Sequence, residues 1–302
     1  MQSSIVKTQN RVIRAEGKIR SRGMWAEVWR NFRKSFGAML GLFIVGMIVV
    51  AAVAGNFIFD YDEHVVGQNV SESKQEPSAK HWFGTDEYGR DIFARVIWGA
   101  RYSISIGFAS VLLSSLVGVT LGALAGYYGG VTETIIMRLA DIFMAVPPIL
   151  LGICLVSAFG QNIFMLVIAV SVSAIPAMTR VSRASVMTVR DMEFVEAARA
   201  AGANDIVIIF RHVLINSLAP VIVQATLRIS GTIIAIAALS FIGLGITAPT
   251  PEWGAMLSSA RGYIRGHSYM ALFPGLAIMI TVMGFNLIGD GVRDSLDPKL
   301  KK

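Results

Sequence analysis

The chain has 302 residues, 54% of them hydrophobic and 16% charged, with a net charge of +7. A soluble domain carries about 25% charged residues; here the shortfall is gathered into long uncharged blocks, and roughly 20 apolar residues suffice to cross the hydrocarbon of a bilayer. These figures exclude a water-soluble globular enzyme, and they leave no room for the folded basic face that nucleic-acid binding needs.

The first 36 residues carry nine Lys and Arg against two acids, Glu16 and Glu27. Basic flanks of membrane helices stay in the cytoplasm, so a cytoplasmic N-terminus is expected. Residues 37–58 form the first uncharged block, long enough to span. Ala52-Val53-Ala54 imitates a signal-peptidase site, but the long lead and long apolar run do not suit a signal peptide with an apolar region of about 7–15 residues, so an uncleaved anchor is expected. Residues 59–101 then form an external segment: from Asp60 onward it holds eight acids against five bases. Within it, residues 83–101 are read as a short helix at the outer surface.

Residues 102–127 form a second uncharged block, in which Gly118, Gly122 and Gly126 recur every fourth residue, a spacing that allows close helix approach in lipid. The block 142–179 has 38 residues, too many for one crossing, and is split at Gly160-Gln161-Asn162. Pro147-Pro148, Pro176 and Pro274 are expected to kink or break their helices. The one cysteine, Cys154, cannot form an internal disulfide and reads as a small apolar core residue. His64, His81, His212 and His267 show no metal-ligand spacing, and no metal site or catalytic residue is assigned. Residues 220–245, interrupted by Arg228, give a fifth span, and 269–288 the last. Six helices follow, since lipid admits no open sheet edge. With Arg293, Lys299, Lys301 and Lys302 after the last span, both ends are expected in the cytoplasm, around a core region at 102–290 and a tail at 291–302.

The segment 180–212 reads as helix–Gly–helix. Glu196, Ala197, Ala198, Arg199 and their neighbours favour helix, Gly202 ends it as a C-terminal cap, and Asn204 or Asp205 can cap a second helix. Small residues on a short helix parallel to the membrane suit docking into a groove of a soluble partner, with Glu196 and Arg199 pairing at its rim; the same composition also fits an amphipathic helix resting on lipid.

Glu196-Ala197-Ala198, followed by Gly202, resembles the EAA loop of binding-protein-dependent ABC importer permeases, whose coupling helix sits in a cleft of the ATPase subunit. Where that family continues with an Ile-x-Leu-Pro pattern, this chain reads His212-Val213-Leu214-Ile215. Phe83-Gly84-Thr85-Asp86, Gly89-Arg90-Asp91, Gly99-Ala100-Arg101, Met137-Arg138 with Asp141, Thr250-Pro251-Glu252-Trp253-Gly254, Phe285-Asn286-Leu287 with Gly289-Asp290-Gly291, and Leu296-Asp297-Pro298-Lys299-Leu300 are similar to the second permease of dipeptide and oligopeptide importers. Together these motifs cover about residues 25–300. The resemblance implies an all-α membrane protein of the type I importer kind in the bacterial inner membrane. It further implies a heterodimer with a homologous permease, two ATP-binding subunits holding ATP and Mg, and an extracytoplasmic substrate-binding protein. Permeases for nickel or glutathione share these motifs. The chain has no phosphate-binding loop of its own, so no cofactor is assigned to it, and Gly243-x-Gly245-x-x-Ala248 lies in an apolar span. An ion-coupled secondary transporter would be expected to bury acids at the midplane, and only Asp141 lies near a span end.

Four polar residues in or beside the spans are candidates for the translocation path: Arg138 and Asp141, spaced to pair along one helix, Arg228 and Asn286. Arg228 reads equally as a cavity-lining cation or an interhelical one; Asn286 also reads as interhelical glue. In the external segment, Asp86, Glu87, Tyr88 and Arg90 are candidates for contact with the binding protein.

Overall fold

The computed structural model describes residues 24–296. The basic residues before position 24, the last three tail lysines and most of the Leu296–Leu300 motif lie outside the described residues. Within them every regular element is helical, and the one β-type pairing is an isolated bridge between Thr85 and Asp91.

The described residues begin with α1 (Met24–Phe32) and α2 (Phe36–Ile58). Ser35 starts α2 by accepting a hydrogen bond from the Ala38 amide, and no charge interrupts the helix before Ile58. The expected short helix at 83–101 is absent as a separate element. Instead, α3 (Ile92–Tyr128) is a single unbroken helix, capped by Asp91, whose Oδ1 accepts from the Ala94 amide at 2.9 Å.

α3 ends at Gly129 and is followed by α4 (Gly130–Ala145) and α5 (Pro148–Phe159), which meet at 89°. The third expected span is therefore not one straight helix from 142. A residue before proline is driven out of the helical region, and both Val146 (ψ 126°) and Pro147 (ψ 131°) are extended. The turn at 160–162 is where the sequence places it, and Asn162 caps α6 (Ile163–Met187) through the Met165 amide. Pro176 and Pro274 lie inside helices that continue past them.

α7 (Glu193–Ala200) is short; α8 (Asp205–Phe241) is long, with a π-helical turn at Ile208–Val213. The second half of the helix–Gly–helix reading is thus the first turns of a span rather than an independent helix, and Asn204 caps it through the Val207 amide at 2.9 Å. α9 (Trp253–Ala260) and α10 (Tyr269–Leu296) complete the described residues. Five helices (α2, α3, α6, α8, α10) are each long and apolar enough to cross a bilayer, and the bent α4–α5 pair counts as a sixth when taken as one broken span.

α3 and α6 form the central pair. A Cβ on Gly118, Gly122 or Gly126 would lie within 3.0 Å of the Cβ of Met178, Ser182 and Val186 respectively, so the small-residue stripe lets two backbones close. Serines stitch the same seam: Ser171 Oγ donates to Ser110 O at 3.0 Å and Ser182 Oγ to Val119 O at 3.0 Å. Position numbers rise together along both helices, so α3 and α6 run parallel. The α4–α5 connection must return across the full thickness of the bundle. α10 runs antiparallel to α2, with Gly284 against Ile44 and Val45 and Gly291 against Ala38. The start of α1, the C-terminal end of α10 and helix α7 therefore emerge on one face, while residues 59–91 and α9 cap the other.

Candidate functional site

On the first face, α7 rests on a buried cluster formed by Ala123, Val186, Val189, Val195, Ile208, Ile209 and Val213. Val195 is fully buried and anchors the helix; Ala198 is half-buried on the same side. Glu193, Glu196, Ala197, Arg199, Ala200 and Gly202 are exposed. Arg199 does not make the expected rim pair with Glu196. Its Nη2 donates to Tyr127 Oη at 3.2 Å, and Tyr127 donates onward to Asp205 Oδ1 at 2.8 Å. Tyr127, at the end of α3, thus ties α7 to the first turn of α8, a role that no local sequence signal discloses. Arg190 adds a second tie through Nη1 to Gly126 O at 2.7 Å. Gly202 has φ +84° and open space where a Cβ would lie. Glycine is favoured there by backbone conformation, and crowding plays no part.

On the opposite face the FGTD and GRD motifs build a brace. Asp86 and Arg90 are buried at 7% and 3% exposure and pair through Arg90 Nε and Asp86 Oδ2 at 2.6 Å. Arg95, 4% exposed, donates through Nη1 to Val65 O at 2.6 Å and to Pro249 O at 3.2 Å, and its Nε lies 3.6 Å from Asp86 Oδ2, joining three loops. His81 lies between Asp91 (Nδ1 to Oδ2, 2.8 Å) and Glu72 (Nε2 to Oε2, 3.4 Å). Of the four residues read as binding-protein contacts, Asp86 and Arg90 are thus committed to the chain's own interior. Glu87 is half-buried, and Tyr88 is 43% exposed with its ring against the Arg90 guanidinium. Trp82, 64% exposed, adds an aromatic surface nearby in sequence.

Glu252 of the Thr-Pro-Glu-Trp-Gly motif is 1% exposed and caps α9: its carboxylate accepts from the Gly254 and Ala255 amides at 2.9 and 2.8 Å and from Ser103 Oγ at 3.2 Å. Trp253 beside it is equally buried and donates Nε1 to Val96 O at 2.9 Å. Helix amides favour a carboxylate at this position, so the motif clamps α9 onto the start of α3.

Arg138 and Asp141 do not pair with each other. Asp141 accepts from Arg180 and Glu133 from Arg183, two ion pairs that fasten α4 to α6. The i,i+3 spacing of Arg180 and Arg183 opposite two acids one helix away was the available signal. Arg138 and Asn286 are exposed, and Arg228 is half-buried in the second half of α8; none of the three has a side-chain partner among the described residues. Asn286 is therefore not interhelical glue within this chain. Cys154 is exposed on α5 rather than packed in the core, because that short helix turns most of one side outward.

A broken six-crossing bundle with a short helix docked at one face and a braced loop cap at the other has the fold of type I ABC importer permeases. Two crystal forms of the inward-facing MetNI methionine ABC transporter match it at TM-scores of 0.55 and 0.56 with 17% identity, over 67% and 68% of this chain and 96% and 98% of theirs. Residues 118–302 match the family of binding-protein-dependent transport system inner membrane components, and residues 23–77 match the N-terminal transmembrane domain of oligopeptide transport permease C. The chain belongs to the binding-protein-dependent transport system inner membrane component family, and it is a permease subunit of an ABC importer. Similar proteins include the dipeptide transport system permease DppC of Alkalihalophilus pseudofirmus (44% identity, 92% of this chain, 90% of that one). The glutathione transport system permease GsiD of Pectobacterium atrosepticum matches at 44% (92% of each chain), and that of Escherichia coli at 43% (92% and 91%).

Proposed function

We propose that this chain pairs with a homologous permease to form a translocation path for di- or oligopeptides, and that α7 couples this path to two partner subunits that bind and hydrolyse ATP with Mg. The observation that carries the reading is the construction of α7: an exposed row of Glu193, Glu196, Ala197 and Ala200 on a helix whose other side is locked to α3 and α8 by Val195 and Tyr127. A push on that row is transmitted to two spans without passing through a flexible loop. The same face is the cytoplasmic one by the basic bias of the first 36 residues, which puts both ends of the chain inside.

On the other face the substrate is delivered by an extracytoplasmic binding protein, for which Tyr88 and Trp82 are the accessible contacts, with Glu87 half-buried beside Tyr88 and the loop held by the Asp86–Arg90 pair. Arg228 and Asn286 line the path against the second permease. A cation at membrane depth costs about 2.5–3.5 kcal/mol on insertion scales and is repaid by meeting a peptide carboxylate. Glutathione is the competing cargo, since the identity to glutathione permeases equals that to the dipeptide permease; both cargoes are small peptides with a free carboxylate, and this architecture serves either.

The decisive test contrasts two alanines. Ala197→Trp, on the exposed row, should abolish co-purification of the ATP-binding subunits while leaving the permease inserted; Ala198→Trp, on the seated side, should instead lower permease stability. Full subunit association and substrate-stimulated hydrolysis in the Ala197→Trp protein would refute coupling through α7. Cargo is assigned separately, by identifying the ligand carried by the partner binding protein and following its uptake in vesicles with wild-type or Arg228→Ala permease. Unchanged uptake in Arg228→Ala would remove that residue from the path.

A further inference from the structure

We infer that α1 is an interfacial anchor, with its Trp25–Trp29 row embedded in the headgroup region of the bilayer and its basic edge holding anionic phospholipid headgroups. α1 packs on α10 at its C-terminal end: Phe32, 6% exposed, lies at Gly291, and the Trp29 ring stacks on it at 5.8 Å. Toward its N-terminal end the same face is open. Trp25 and Trp29, one turn apart and so on one face, are 58% and 52% exposed.

Three residues, Arg33 to Ser35, separate α1 from the first span, a tether of about 10 Å even when extended. The tryptophan row therefore cannot leave the membrane boundary. It is continuous with Phe36, 82% exposed, and then with Phe43, Met47 and Val50 on the open side of α2, the side that meets acyl chains. Indole rings favour this depth because an apolar body sits among acyl carbons while the N–H stays wet.

Charge identifies the lipid. Arg30, Arg33 and Lys34 are exposed with no side-chain partner among the described residues, and Arg30 is next to Trp29 around the helix. An amphipathic helix with aromatic residues on one face and bases on the other lies in the interface plane with its apolar face about 5–10 Å into the headgroup boundary, and bases at that level attract anionic leaflets.

The test uses the assembled complex in vesicles of phosphatidylcholine, with or without phosphatidylglycerol, carrying lipids brominated near the carbonyl end or near the terminus of the acyl chain. Wild type is compared with a Trp25→Phe, Trp29→Phe double variant, a conservative pair that leaves Trp82, Trp98 and Trp253 in both samples. The fluorescence difference isolates the two α1 indoles. It should be quenched most by the shallow bromines, with deeper quenching when phosphatidylglycerol is present. An Arg30→Gln, Arg33→Gln, Lys34→Gln variant should lose the phosphatidylglycerol dependence. A difference signal untouched by any brominated lipid in the complex would overturn the inference and assign the row to a protein partner; equal quenching with and without phosphatidylglycerol in wild type would overturn its anionic half.

Discussion

Glu72 accepts a hydrogen bond from Lys80, and this, with His81 nearby, holds its carboxyl below the usual glutamate range. A carboxyl depressed in the folded state contributes stability that is complete above its unfolded value and is lost as pH falls through the folded one. Acidification below the ordinary glutamate value of about 4.3 should therefore loosen residues 69–81, read as faster amide exchange than at pH 7 after correction for intrinsic rates. Glu72→Gln should flatten that dependence, and an identical profile in the two proteins would contradict it. Arg95 is a more costly position, because its removal strands the buried Val65 and Pro249 carbonyls. A group left so unpaired costs about 1–3 kcal/mol. Arg95→Ala should lower the melting temperature of the purified permease, and Arg95→Lys should rescue little, since one ammonium cannot reach the two carbonyls that Nη1 holds and also the Asp86 carboxylate beside Nε. A wild-type melt for Arg95→Ala would show that the three loops hold without it.

At the scale of elements, α7 depends on its ends as much as on its face. Gly202 adopts φ +84° with nothing within 4 Å of the point a Cβ would occupy, so Gly202→Val meets a backbone penalty of about 1–3 kcal/mol and no clash. Asparagine tolerates that conformation. Gly202→Asn should then retain most ATP-binding-subunit association while Gly202→Val loses it, measured by co-purification. If the two behave alike, conformation at this position does not set the docking pose. The α4–α5 elbow follows the same logic, since Val146 and Pro147 are extended because two prolines follow one another, and two Arg–carboxylate pairs then fix α4 against α6.

For the whole molecule, the parallel run of α3 and α6 decides the topology. Had α4 and α5 formed a re-entrant hairpin, α6 would have run antiparallel to α3. In a Cys154→Ser background, required because Cys154 is exposed, single cysteines at Ala26, Ala200 and Asp290 should react with an impermeant reagent from one side only. Cysteines at Val70 and Tyr88 should react from the other. Labelling of positions 88 and 200 from the same side would mean that the elbow does not cross.

The hydrophobic blocks, the turn at 160–162, the glycine stripe, Asn204 as a cap and Gly202 as a stop were all legible in the sequence, because each depends on spacing along a single segment. The EAA-like run located the candidate coupling helix for the same reason. Side-chain partners were not legible. Asp141 meets Arg180 instead of Arg138, and Arg199 meets Tyr127 instead of Glu196, because a charge in a helical bundle is satisfied by whichever helix packs beside it. Asp86 and Arg90, polar in a loop and so read as surface, are buried because Arg95 folds three loops over them. The sequence by itself determined where the chain can be helical and where it can enter lipid, through local periodicity and the cost of unpaired backbone groups in hydrocarbon. Only the tertiary structure decided which helices are parallel, which charges pair and which face of α7 is free, since those follow from distances between residues far apart in the chain.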